Sequence, residues 1–183
     1  MINAWTLPHS VKLGDKEYKH STDFRDLLEI IEYMTNPSRP EFVRWQIALA
    51  LFYEEEIPEE YQYQAMEYLS DFIGYGSKDK ATGVKLIDWH QDANIIVGDI
   101  NKVAGMEIRA VPHLHWWTFL SYFYGIGEGQ LSTLVSIRKK KAKGKKLEKW
   151  EQEYYQANKN AVDFQTADAD IIRAEKDDIM KWL

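Results

Sequence analysis

Apolar residues fall at helical spacing through most of the chain. Phe24, Leu27, Leu28, Ile31 and Met34 recur at i, i+3, i+4, i+7 and i+10. That spacing predicts an amphipathic helix, with Ser21 or Thr22 as its N-cap. Thr35-Asn36-Pro37-Ser38-Arg39-Pro40 ends it and starts another. In the second helix Phe42, Trp45, Leu49 and Phe52 make one stripe, while Val43, Ile47, Ala48, Ala50 and Leu51 are apolar elsewhere. Apolar residues all round predict a helix buried on most sides. Pro58 suits the first turn of a third helix, and Glu59 and Glu60 suit its positive end. Tyr61, Ala65, Tyr68, Leu69 and Phe72 line one face of that helix. Ahead of all three, Val11-Lys12-Leu13 alternates, Gly14-Asp15 turns, and Glu17-Tyr18-Lys19 returns as a second strand.

The segment from Gly74 to Gly83 has three glycines and no apolar period, so it separates two halves. It should be the internal segment most open to proteases. The second half starts at Asp88 as an N-cap, followed by a stripe of Trp89, Ala93, Ile96, Val97, Ile100 and Val103 that Gly105 stops. Pro112 should open the next helix, where Leu114, Trp116, Trp117, Phe119, Leu120, Phe123 and Tyr124 crowd together. Leu131, Leu134, Val135 and Ile137 begin a sixth. Gly144 interrupts, and Leu147, Trp150, Tyr154 and Ala157 give a seventh. The pattern predicts a mainly α protein, a multi-helix bundle with a small N-terminal β-hairpin. Residues 1–73 hold the hairpin and three helices, and 74–87 link. Residues 88–160 form the second helical half, and 161–183 an acidic tail or terminal helix.

Composition narrows the class. The chain has 183 residues and no cysteine, which excludes disulfides, zinc–thiolate sites and cysteine nucleophiles. No apolar run is long enough to span a bilayer, and Met1 to Trp5 does not read as a signal peptide. A reducing cytoplasm is the expected location. The net charge of −6 is uneven. From Arg138 to Lys149 there are eight bases and one acid, a segment of +7 on a body of −13.

Candidate chemistry is sparse. His113 and His115 are two apart, and Asp88, His90 and Asp92 alternate, so on a helix neither set converges on one ion. No metal and no cofactor is expected. His115 reads as a packed or capping histidine. No nucleophile elbow, zinc-protease motif or dinucleotide fingerprint occurs, and the chain is not expected to be an enzyme. The basic stripe (Arg138, Lys139, Lys140, Lys141, Lys143, Lys145, Lys146, Lys149) can meet phosphates or an acidic protein surface. It lacks interleaved aromatics until Trp150, which argues against stacking on single strands.

Three strings carry a resemblance: Asp88-Trp-His-Gln-Asp-Ala93, His115-Trp-Trp-Thr-Phe119 and Ser136-Ile-Arg-Lys-Lys-Lys141. With them the chain resembles the bacteriophage gene-product-fifteen family of siphophages and Gram-positive prophages, over roughly residues 7 to 160. The resemblance implies a tail assembly chaperone that coats the helical tape measure protein and gives way as tail tube subunits polymerise. The implied partners are the tape measure protein or another tail protein and further copies of the chain, without nucleic acid or membrane. The abundance of aromatics, 14% of the chain, suits helix-in-groove binding. The expected partner-binding residues are Trp117, Phe119, Arg138, Lys139, Lys140, Lys141, Lys143, Lys145, Lys146 and Trp150. Trp116 and Trp117 sit about 100° apart on a helix. Trp116 is therefore expected in the core and Trp117 at a seam. The alternatives are a nucleic-acid-associated phage protein using the basic stripe, and a structural tail component kept in the virion.

Overall fold

A computed structural model describes residues 5–75 and 84–165. Most of the Gly74–Gly83 loop and of the acidic tail therefore lies outside the described residues. The hairpin forms as expected. Strands β1 (Ser10–Leu13) and β2 (Lys16–Lys19) pair antiparallel, Val11 opposite Tyr18. Gly14 turns the chain at φ +58, with the Tyr61 ring so close that a Cβ there would collide with it. Two-residue hairpin loops need this left-handed backbone, which glycine adopts without steric cost. Leu13 and Tyr18 anchor the hairpin in the core.

Eight α-helices follow among the described residues, so the molecule is mainly α with a small hairpin. Helix α1 (Phe24–Thr35) starts with the apolar pattern at Phe24, one or two residues later than the expected caps imply. Asp23, not Ser21 or Thr22, is its N-cap, with the side chain accepting the Arg25 N–H. Helices α2 (Glu41–Phe52) and α3 (Gln62–Ile73) complete the first half, with a single 3-10 turn over Glu59–Tyr61 leading into α3. In the second half Asp88 caps only a turn, accepting N–H bonds from His90 and Gln91. Helix α4 (Ala93–Ala104) begins beyond it and ends at Gly105, in left-handed backbone at φ 67. Helix α5 (Trp116–Tyr124) starts four residues after Pro112, because His115 is the cap. Helix α6 (Gln130–Ala142) is followed by Gly144 at φ 63, and α7 (Lys149–Ala157) and α8 (Lys159–Val162) close the described chain.

The halves share one core. Phe24 and Leu27 of α1, Phe52 of α2, Phe72 of α3, Ile100 of α4 and Trp116 and Phe119 of α5 belong to a single buried cluster. Phe24 stacks on Phe119 with ring centroids 4.8 Å apart. Backbone bonds join the halves as well: Phe24 N–H donates to the Leu114 carbonyl (3.0 Å) and Trp116 N–H to the Thr22 carbonyl (2.6 Å). A smaller cluster of Leu134, Ile137 and Val162 ties α6 to α8, with Leu147, Tyr154 and Tyr155 against it. Residues 161 to 164 are thus part of the folded body and not of a tail.

Candidate interaction surfaces

The His-Trp-Trp element is a clamp. His115 Nδ1 accepts the Trp117 N–H at 3.1 Å, so its Nε2 carries the proton and donates to the Pro8 carbonyl at 3.0 Å. One neutral ring thereby caps α5 and holds the N-terminal segment. The two indoles do the same for the far end of α3. Trp116 Nε1–H donates to the Ile73 carbonyl (3.2 Å) and Trp117 Nε1–H to the Phe72 carbonyl (3.0 Å). Carbonyls in the last turn of a helix have no i+4 donor; that of Ile73 finds one on α5, and that of Phe72, which also accepts the Tyr75 N–H at 3.3 Å, gains a second. Trp117 is 3% exposed and Phe119 is fully buried. Both were expected to meet a partner, and neither presents a surface to one. Helix α5 packs on α1 and α4 while both its indoles reach the end of α3, so the 100° between them still leaves both inside.

The other two strings meet each other. Arg138 and Asp92 form a bidentate pair, Nη1 to Oδ2 at 2.6 Å and Nη2 to Oδ1 at 2.9 Å, with side chains almost wholly buried. Three carbonyls take the remaining guanidinium protons: Val162 from Nε, Leu86 from Nη1 and Ala161 from Nη2. All five N–H groups are therefore satisfied, which is the condition for burying this charge without a large penalty. The Phe164 ring lies 4.1 Å from the guanidinium carbon. Arg138 is an internal rivet and leaves the list of partner-binding residues.

Two lysines of the stripe are also engaged at home. Lys140 binds both carboxylate oxygens of Glu151 at 2.7 Å, and that hydrogen-bonded partner raises its pKa and holds Glu151 below the usual carboxylate range. Lys141 pairs with Asp163 and lies 3.7 Å from the Tyr155 ring centroid. Lys139, Lys143, Lys145, Lys146 and Lys149 are exposed and make no ion pair among the described residues. Trp150, next to them, is 52% exposed.

Open apolar surface appears where the apolar pattern predicted burial. Only Ala48, Leu49 and Phe52 of α2 are buried. Phe42 is 71% exposed, Val43 38% and Leu51 41%, while Ile47 is half-buried. Val43, Ile47, Ala50 and Leu51 lie within about 100° of helix circumference. The signal was in the sequence: a helix apolar on all sides needs cover on all sides. The described residues supply that cover on one side of α2 only. A second opening, a groove of about 680 Å3, runs between Leu28 and Ile31 of α1 and Ile87 and Trp89 of the approach to α4. Among the described residues no group of three or more His, Cys, Asp or Glu is placed to hold a metal. No helix among them is long and apolar enough to cross a membrane.

These features define a small, mainly helical protein built around three riveted sequence elements. The chain belongs to the bacteriophage Gp15 protein family, whose model matches residues 5–164. That range takes in the hairpin, all eight helices and the Phe164 ring over Arg138. No curated protein and no solved structure matches the chain.

Proposed function

We propose that the chain is a tail assembly chaperone that holds a helix of the tape measure protein against the open face of α2. The observation that carries this reading is the stripe Val43, Ile47, Ala50 and Leu51, at i, i+4, i+7 and i+8, which the described residues leave exposed at Val43, Ala50 and Leu51 and half-covered at Ile47. Such spacing is the seam on which a second helix packs side by side. A long apolar-striped helix is aggregation-prone alone, and lending it a complementary stripe keeps it in solution. Membership of a phage family supports the setting, and the work is done by binding, without catalysis, in the host cytoplasm. The test is co-expression of the full chain with the tape measure protein from the same phage, followed by affinity capture. The wild type should retain the client, and the Val43→Lys, Leu51→Lys double variant should lose it while melting normally. Equal capture by both overturns the α2 surface. Stoichiometric recovery of the chain from purified virions would instead make it a structural tail component.

A further inference from the structure

Two surfaces of this molecule are complementary to each other and unsatisfied among the described residues. One is the corner between α6 and α7, where Lys139, Lys143, Lys145, Lys146 and Lys149 find no ion pair among the described residues and Trp150 stands half out of the surface. The other is a pocket of about 380 Å3 between the end of α2 and the start of α3, with Leu49, Ala50 and Ile57 in its wall. Glu54, Glu55 and Glu56 line it as well. Residues 54–60 carry five glutamates and no base, and only Glu55 has a cationic partner among the described residues, Lys16.

We propose that the Trp150 corner of one copy docks into the α2–α3 pocket of a second copy, giving head-to-tail self-association. The occupant follows from charge and shape together. An indole flanked by Lys145, Lys146 and Lys149 matches a mixed pocket in which Leu49, Ala50, Tyr53 and Ile57 offer apolar contact and three glutamates supply the charge. An aromatic anchor in a pocket with a charged rim is how compact interfaces concentrate their affinity. Each copy carries both plug and socket, so the contact is heterologous and grows into a ring or an open chain rather than stopping at a dimer. The rim charges are exposed, so they steer association and are screened over a Debye length of about 8–10 Å.

The test uses the full chain alone, with no client, so it is independent of tape measure binding. Sedimentation velocity follows three proteins in low and high salt. The wild type should form species larger than a dimer that dissolve as salt rises. The socket variant Glu54→Lys, Glu56→Lys should be monomeric, and so should the plug variant Lys145→Ala, Lys146→Ala, Trp150→Ala. All these positions are exposed, and unchanged melting verifies that the variants fold. Mixed in equal amounts, the two variants retain one intact plug and one intact socket between them. They should form a one-to-one dimer and nothing larger. A monomeric wild type in low salt overturns the proposal. So does a mixture that stays monomeric, or a plug variant that assembles like wild type. If the wild type stays monomeric but binds duplex DNA at physiological salt, and the plug variant does not, the corner is a polyanion site and the proposal fails.

Discussion

Helices α2 and α5 are equally crowded with apolar residues and end in opposite environments. In α5 Trp116, Trp117, Phe119 and Leu120 are all buried, and both indole N–H groups are bonded to α3 carbonyls. In α2 Phe42, Val43 and Leu51 face solvent. The difference lies in what arrives on each side. Helix α5 lies between α1, α3 and α4 with the hairpin segment pinned across its start by His115. Among the described residues helix α2 packs chiefly on α1 and α3, and the side that carries Phe42, Val43 and Leu51 stays open. Apolar density therefore says that a helix will be covered, and topology says whether the cover comes from its own chain.

The comparison breaks first if α5 tolerates truncation. Trp117→Ala should cost about 3–5 kcal/mol, since it empties a packed site and removes the indole hydrogen bond to the Phe72 carbonyl. Denaturant unfolding would measure it, and a cost below about 1 kcal/mol would mean that α5 is not the clamp described. Arg138→Ala belongs with it. Removing one partner of a buried pair strands the other, and about 3–5 kcal/mol is the usual loss. Arg138→Lys should recover little, because an ammonium cannot fill the three carbonyl contacts and the bidentate pair together.

The same contrast shows what was legible in the sequence. The hairpin, the Gly105 stop and the order of the first seven helices follow from local spacing, turn chemistry and caps. The Trp116 burial follows from the stripe it shares with Leu120 and Phe123. Trp117 was misplaced because periodicity assumes one buried face, whereas the indole of Trp117 reaches a helix end on another side. Arg138 was misplaced because a basic run reads as solvated, and its acidic partner lies 46 positions away at Asp92. The start of α5 was misplaced because a proline is a common helix opener, while here the capping acceptor is a histidine ring. Non-local pairings of this kind leave no period behind. The family-bearing strings were found correctly, and Trp117, Phe119 and Arg138 within them were read as contact residues, although all three are buried and hold the fold together.

A pH titration sharpens the comparison next, because the buried side of the molecule contains neutral histidines and α2 contains none. His20 stacks on Phe52 at 4.5 Å, donates from Nδ1 to the Ser21 carbonyl and accepts at Nε2 from the Tyr68 hydroxyl. Burial lowers its pKa from 6.5 to about 4, with His115 and His9 adding repulsion. Burial lowers His115 too. The unfolded chain thus takes up protons that the folded chain refuses. Stability is fully present above about pH 6.5 and falls as pH drops toward about 4. His20 alone accounts for about 3 kcal/mol across that window, at roughly 1.4 kcal/mol per unit. Glu107, held at about 2 chiefly by its hydrogen bonds to Arg109, releases its share only at lower pH. Melting temperatures from pH 8 to 4.5 should fall for the wild type and fall less for His20→Gln measured against its own value at pH 8. Parallel curves would remove His20 from the account.

The smallest expected effect is the most informative about α2. Val43→Lys and Leu51→Lys each place a charge where water already reaches, so each should change stability by no more than about ±0.5 kcal/mol. Ala48→Lys, on the buried side of the same helix, should fail to fold or lose several kcal/mol, since the Ala48 side chain has no exposure and no space for a long cation. The three substitutions are matched in chemistry and differ only in direction around one helix. Chemical denaturation of the full chain separates them. If all three cost the same, the open face of α2 is covered in solution, and self-association measured at the same concentration shows whether a second copy covers it. If only Ala48→Lys is costly, the stripe is free in the isolated chain and available to a helical client. In that case the two surface variants change binding alone, and the loss of tape measure capture can be assigned to the stripe itself rather than to the stability of the helix that carries it.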